Sequence, residues 1–555
     1  MKCIATLIVD LERTPLGTRS RLADDLAGVP VLRRTVERVA RARRIDSIYL
    51  LTPPDQADRV GQIVSGIGGS KPEARSDAAA SIVVEPIRVP PAPFAELVRA
   101  GRMWGLNGWR GGIGGLCSFD EDMNAALLAA IARKHGAEVV AAVPAAAAIV
   151  DPALIDAMID HQARIAESYL FAFAQSPPGL TPLIARRSLL EQLAPNNEPV
   201  GLLLACNPDR PFPDLTGKEP CYRLRAEVVE ASGRLICDTR RSFERVGDLL
   251  ADGGADWDAV RIGNWLQDRA ATHVEPVPCE LEIELTTGSE AALRPAQHAS
   301  ILRPVCAAPR SPIGMETIRR ICDDIRTYDD VAIVLGGHGD PLGHPALGEI
   351  CRMFRANAAA VAVRTFARHE EDALDDALFE TPVDVIEVML DAATGETYRR
   401  LHGVDTFDAV MARVERWLSR REKNMSARPL IVPSFVKCTE NLDEMEGFYA
   451  TWQRRLGMAL LTGHTGYGGR WKSLAVTSME PPGRGPCRRT RSRMMILADG
   501  RVSTCDQDHD GLQTTGSLRE DTLLSCWRSS AFEAYRSGQT ERAALCPQCT
   551  EWHRP

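Results

Sequence analysis

The sequence predicts an α/β protein in three parts. These are a parallel-sheet domain over residues 1–275, a partial TIM-type (β/α) barrel over 276–480, and a small cysteine-ligated module over 481–555. Three observations carry this reading. The chain has 555 residues, whereas a single hydrophobic core rarely grows past about 250–300. Apolar runs alternate with segments of helical period through residues 3–165 and again through 279–456, the rhythm of crossover units on parallel strands. Cysteine usage then changes at the end, where Cys487, Cys505, Cys526, Cys546 and Cys549 crowd together.

Composition excludes several classes. Hydrophobic residues make up 45% and charged residues 25%, ordinary for a soluble globular protein. Lys and Arg total 66 against 74 Asp and Glu, a net charge of −8. A dedicated nucleic-acid binder would instead carry a strongly basic domain or stripe, so no nucleic-acid partner is expected. The apolar run at 4–9 is too short for a secretory signal. The longest apolar run, 139–150, contains Pro144 and falls short of the roughly 18 residues a membrane helix needs. A cytoplasmic protein with no membrane partner is expected, and its cysteines should be thiols. The scattered ones, Cys3, Cys117, Cys206, Cys221, Cys237, Cys279, Cys306, Cys322, Cys351 and Cys438, read as small buried hydrophobes.

Taken in order, strands are expected at 3–9, 47–51 and 139–143, with helices at 32–43, 123–135 and 152–165. Segments 169–173 and 181–190 continue the pattern, and 196–217, rich in Pro, Asn and Asp, reads as a loop. A helix at 256–268 leads to a boundary near 272–278. The second block gives strands at 279–285, 331–335, 360–364, 385–390 and 429–436. Its helices fall at 315–326, 345–355, 406–423 and 441–456, which suits a full or partial barrel. A Pro/Gly/Arg-rich linker at 481–493 precedes the cysteine module.

In that module Cys487 and Cys505 flank a hairpin, strand 494–497 and turn Ala498-Asp499-Gly500, and Cys546-Pro547-Gln548-Cys549 closes the set. Four soft ligands are enough for a tetrahedral site or an iron–sulfur cluster. The spacing Cys487-x12-Gly500-x4-Cys505, with Gly516-Ser517-Leu518 and Leu524-Ser525-Cys526-Trp527 after it, resembles the SPASM domain of radical S-adenosylmethionine enzymes. The resemblance implies the shortened form with one 4Fe-4S cluster on Cys487, Cys505, Cys546 and Cys549, and Cys526 packing within a short helix. Zinc is the rival occupant, with His553 as a substitute ligand.

That likeness implies a radical S-adenosylmethionine barrel before the module. Gly336-Gly337-His338-Gly339-Asp340-Pro341 after strand 331–335 resembles the family's glycine-rich motif, which contacts the methionine end of the cofactor. Glycines permit close backbone approach, and Asp340 would receive the ammonium group. Gly336, Gly337, Gly339, Asp340 and Pro341 are therefore the candidate S-adenosylmethionine residues. The family's CxxxCxxC loop is absent: its spacing falls on Ser289, Leu293 and Ala296, none of which is a thiolate. The barrel is thus expected to be degenerate.

At the N-terminus, residues 4–10 followed by Gly17-Thr18-Arg19-Ser20-Arg21-Leu22 and Gly28-Val29-Pro30-Val31-Leu32 resemble spore-coat polysaccharide cytidylyltransferases. Gly17, Thr18 and Arg19, with Arg13 and Arg21, are the candidate phosphate-binding residues. Two departures count against transfer chemistry. Ala23-Asp24-Asp25 stands where the family has a lysine, and Ala146 stands where it has a metal-binding aspartate. Asp120, Glu121 and Asp122 read as the start of the helix at Met123. No catalytic residue is assigned. The expected function is an iron–sulfur cluster-binding protein with a binding, electron-transfer or docking role near sugar-nucleotide or polysaccharide metabolism. A nucleotide or sugar-nucleotide ligand and a protein partner are expected. The alternatives are an active S-adenosylmethionine-dependent enzyme and a zinc-stabilised interaction protein.

Overall fold

The computed structural model describes the whole chain except residues 68–79, 89–93, 206, 210–212, 288–299, 305, 307, 370–371, 486, 538–544 and 555. Cys206, Ser289, Leu293 and Ala296 therefore lie outside the described residues. The chain divides into two compact units, Met1–His273 and Val274–Pro555.

The first unit is built on seven strands: β1 (Cys3–Ile8), β2 (Ser47–Thr52), β3 (Ser81–Pro86), β4 (Val139–Ala142), β5 (Phe171–Ala174), β6 (Leu183–Arg186) and β7 (Cys221–Tyr222), in the order β3-β2-β1-β4-β6-β5-β7. The first four are parallel, with Ile4 opposite Ser47 and Val140, and β6 runs antiparallel to β4 and β5. Successive strand side chains point to opposite faces. Cys3, Ala5 and Leu7 accordingly join one core with helices Val31–Val39, Pro152–Arg164 and Arg240–Ala251, while Ile4 joins the other with Ala125–Lys134 and Arg187–Leu193. Asp151 caps Pro152–Arg164 by accepting from the backbone N–H groups of Ala153 and Leu154, with proline in the first turn.

Among the described residues the second unit has nine strands: β8 (Glu280–Glu284), β9 (Ala332–Gly336), β10 (Ala360–Thr365), β11 (Val385–Met389), β12 (Leu430–Lys437), β13 (Leu460–Gly463), β14 (Arg493–Ile496), β15 (Arg501–Ser503) and β16 (Thr514–Ser517). β8 to β13 pair in parallel in chain order, as expected of a partial barrel. On the other side of β8 the first strand of the cysteine module continues the sheet. Glu280 pairs with Arg493 and Ile283 with Ile496, and β15 and β16 follow antiparallel.

The two faces of β8 differ sharply in chemistry. Leu281 and Ile283 pack with Ile333, Leu335, Val361, Val363, Ile386 and Val388 against helices Met315–Ile325, Leu347–Asn357 and Phe407–Lys423. Burying each such side chain stabilises by about 1.5–3 kcal/mol. Glu280, Glu282 and Glu284 alternate onto the opposite face and are buried as well. Charge out of water persists only when paired. Arg493 meets Glu280 at 3.2 Å, Arg364 joins Glu282 and Glu387 at 2.9 Å each, and Arg310 holds Glu284 at 2.7 Å. A charged inner face backed by an apolar helical layer is what places a polar cavity at the strand ends.

Candidate metal centre

Cys546 opens a single 3₁₀ turn, Cys546–Gln548, and Cys549 follows it, so the two thiols leave one tight bend. Cys505 lies just beyond β15, after the hairpin whose turn Gly500 makes at φ +85°. Three contacts hold the start of the module to its end. The Arg488 N–H donates to the Trp552 carbonyl at 3.0 Å, and Arg484 donates to the Pro547 carbonyl at 3.0 Å and to that of Cys546. Arg489 lies between carboxylates, 2.8 Å from Asp506 and 4.0 Å from Glu551.

All four candidate cysteines are free thiols, partly buried. Burial pushes Cys546 up to about 11, helped by negative charge on Cys549 and Cys487. Burial likewise pushes Cys549 up to about 11, with Cys487 contributing. Cys505 is held well above the usual thiol range by burial, then by Asp506, with Cys549 adding to the effect. Negative charge on Cys487 bears on both Cys546 and Cys549, and that on Cys549 bears on Cys505, a penalty on ionisation in each case. A bound cation reverses that penalty, so the donor set fits a soft metal or an iron–sulfur cluster. Among the described residues no three His, Cys, Asp or Glu side chains are drawn together as a formed metal site. Cys526 is buried in the apolar core beside Trp527, within helix Leu523–Trp527. His553 packs edge-on against Trp552, with ring centres 5.5 Å apart.

The glycine-rich segment follows β9. Gly337 takes φ +83°. A Cβ there would lie 2.8 Å from that of Glu284, and one on Gly339 would lie 2.0 Å from the Thr286 carbonyl oxygen. Close approach to the end of β8 therefore requires both glycines. Asp340 is buried, and its carboxylate accepts from the Thr365 hydroxyl at 2.8 Å, the Phe366 N–H at 2.9 Å and the Leu342 N–H at 3.0 Å. It caps the turn Pro341–Gly343 rather than presenting itself to an ammonium group. Gly337 and His338 line the neighbouring cavity; Gly336, Gly339, Asp340 and Pro341 do not.

In the first unit a cavity of about 360 Å³ opens at the end of β1, lined by Arg13, Thr14, Ser20, Arg21, Asp122 and Ala146 among others. Of the loop expected to bind phosphate, Arg13, Thr14, Ser20 and Arg21 line this cavity, whereas Gly17, Thr18 and Arg19 do not. Gly17 makes the turn at φ +76°, Thr18 donates its hydroxyl to the Asp238 carbonyl at 3.0 Å, and exposed Arg19 is held by both oxygens of Asp24 at 2.6 and 2.8 Å. Ala146, which the sequence reading places at the position of the resembled family's metal-binding aspartate, lines the cavity with a methyl group.

The acidic run at 120–122 does not start a helix. That helix is Ala125–Lys134, capped by Asn124, and Asp120 instead accepts from the Cys117 N–H at 2.8 Å and the Gly201 N–H at 3.0 Å. Glu121 is held below the usual range against its burial by Arg234 and Arg102. Asp122 is pushed up to about 7 by burial and by the charges of Glu121 and Asp238. Its signal in the sequence was only a third consecutive acid, one more than a helix start uses.

Residues 487–550 match the SPASM family, an iron–sulfur cluster-binding domain. An uncharacterised protein of Treponema pallidum (strain Nichols) is 25% identical over 289 residues, covering 50% of this chain and 79% of its own. Among solved structures, anSMEcpe with bound AdoMet matches at 12% identity over 49% of this chain and 88% of its own, with a TM-score of 0.35. BtrN in complex with AdoMet and 2-DOIA matches at 12% identity over 49% and 93%, with a TM-score of 0.32. A cytidylyltransferase from Leptospira borgpetersenii serovar Hardjo-bovis (strain JB197) matches at 13% identity over 48% and 95%, with a TM-score of 0.29. These are likenesses of fold alone. The described chain is built of α/β units with parallel strands, and its residues 487–550 are similar to the SPASM iron–sulfur cluster-binding domain. Among the described residues no helix is long and apolar enough to cross a membrane.

Proposed function

We propose that this protein carries one 4Fe-4S cluster on Cys487, Cys505, Cys546 and Cys549 and serves in electron transfer or partner docking rather than in radical catalysis. The observation that carries the reading is the match of residues 487–550, which hold all four of these free thiols, to an iron–sulfur cluster-binding domain, in a sequence with no CxxxCxxC. When bound, the cluster supplies a one-electron couple. The chain's own part is to fix the ligands: the Cys546–Gln548 turn sets two thiols side by side, and Arg484 and Arg488 tie the two ends of the module together. The Glu551 N–H donates to the Cys549 sulfur at 3.3 Å and would stabilise its thiolate. The first unit would hold a nucleotide or sugar nucleotide through Arg13 and Arg21, in a cavity where Ala146 itself offers no oxygen to a divalent cation.

The test is anaerobic. Dithionite should bleach the visible absorption reversibly, and added S-adenosylmethionine should yield no methionine or 5′-deoxyadenosine. Reductive cleavage of S-adenosylmethionine would overturn the assignment, as would transfer of a cytidylyl group from CTP to a sugar phosphate.

A further inference from the structure

At the C-terminal ends of the parallel strands of the second unit lies a cavity of roughly 140 Å³, small beside the ~300–1,000 Å³ of pockets that take drug-sized ligands. Gly337, His338 and Glu282 form part of its wall, and Arg303, Phe366, Arg368 and His402 another part.

The charges in and around this wall are equal in number but unevenly paired. Glu282 is answered by Arg364 at 2.9 Å, and Arg364 also meets Glu387 at 2.9 Å. Asp506, a third acidic neighbour, is answered by Arg489 at 2.8 Å. Two guanidinium groups remain. Arg368 donates its Nε–H to the Tyr398 hydroxyl at 3.0 Å, and among the described residues its buried Nη2 has no hydrogen-bond partner. Among the described residues it has no carboxylate within ion-pair distance. Arg303 donates to the Met389 sulfur, and its carboxylate neighbour, Asp391, stands off at 3.9 Å. Both guanidinium groups lie over the Phe366 ring, at 4.4 Å for Arg368 and 5.7 Å for Arg303.

His402 does not add to the positive charge. It is 1% exposed, and burial together with Arg368 and Arg303 holds it neutral. Its Nε2 meets the Leu390 carbonyl at 3.3 Å and so carries the proton. That leaves Nδ1 as a bare acceptor, buried and without a partner. A buried N–H with no acceptor is costly to keep, and a forked guanidinium on an aromatic plate matches the geometry of a carboxylate or phosphate.

We propose that this cavity receives a compact oxyanion, a carboxylate or phosphate group on a small ligand, held by Arg368 and Arg303 against Phe366. S-adenosylmethionine is not that ligand. It is a net cation larger than the cavity, and Asp340, the acid expected to take its ammonium group, is fully engaged within the protein. Asp506 and Gln507 of the cysteine module line the same cavity, but Arg303, Arg368 and Phe366 lie outside that module, so iron content measured beside binding separates failure of this site from failure of the cluster assignment.

The test is titration calorimetry on the iron-loaded full chain with inorganic phosphate, with citrate and with S-adenosylmethionine, against sodium chloride as control. One of the two oxyanions should bind saturably, and Arg368→Gln should weaken it at least about tenfold, a loss of ~1.4 kcal/mol. Iron content should be unchanged. Arg303→Gln serves as the second variant should Arg368→Gln fail to accumulate. Preference for citrate assigns a carboxylate ligand, and preference for phosphate a phosphorylated one. No saturable binding of either, binding that persists in both variants, or tight S-adenosylmethionine binding lost with Arg368 would each overturn the proposal.

Discussion

Asp122 makes the first unit sensitive to pH. Its carboxyl group is pushed from the ordinary 3.8 to about 7, by burial first and then by Glu121 and Asp238. A raised acid favours the folded state only while protonated. The associated stability is therefore complete below pH ~4, is lost as pH rises from ~4 to ~7, and changes little above that. Asp122→Asn should protect the first unit by roughly 1–3 kcal/mol at pH 8 and by almost nothing at pH 4, read by hydrogen exchange of its peptides. Cysteines separate in the same way by environment. Cys526 sits in the core, so Cys526→Ala should cost about 1–2 kcal/mol and leave iron content intact, whereas Cys546→Ser should remove iron. Spacing separates the two kinds: Cys526 falls inside a helical pattern and packs in the core, whereas Cys546 and Cys549 fall in a CxxC bend, for which ligation is proposed. What spacing could not show is which side chains of the Gly17–Arg21 loop face inward. That depends on the Arg19–Asp24 pair and on the contact of Thr18 with Asp238, far along the chain.

Among the elements, those with a strong local pattern were legible. β1, β2, β4 and the helices Pro152–Arg164 and Phe407–Lys423 fall where period and capping placed them. β3 (Ser81–Pro86) and β13 (Leu460–Gly463) did not announce themselves. Each is a sheet edge with partly exposed residues, and β13 is four residues long, too short for alternation to stand out from a loop. The glycine-rich turn after β9 illustrates a motif with two readings. Because a Gly339 side chain would collide with the Thr286 carbonyl, Gly339→Ala should destabilise the second unit by about 3 kcal/mol even with no ligand present. Gly447, in helix Met445–Leu456, has open space around its Cα. Gly447→Ala should stabilise by roughly 0.5 kcal/mol. Chemical denaturation followed by exchange in these segments compares the two.

At the scale of the molecule, the cysteine module is tied to the sheet before it. β14 pairs along β8 from Glu280 to Ile283, and Trp527 donates to the Glu275 carbonyl at 2.7 Å. The sequence places the linker at 481–493 but holds no local sign that the strand after it pairs more than two hundred residues back. Loss of the cluster should therefore loosen β14, β8 and their neighbours while leaving exchange in the first unit unchanged.

The most direct measurement is iron, acid-labile sulfide and zinc per chain in anaerobically purified protein, beside the Cys546→Ser and Cys549→Ser variants. About four irons and four sulfides per chain, lost in both variants, is the predicted result. Zinc without iron would contradict the cluster assignment, and about eight irons would mean that the barrel binds a second cluster through ligands other than a CxxxCxxC loop.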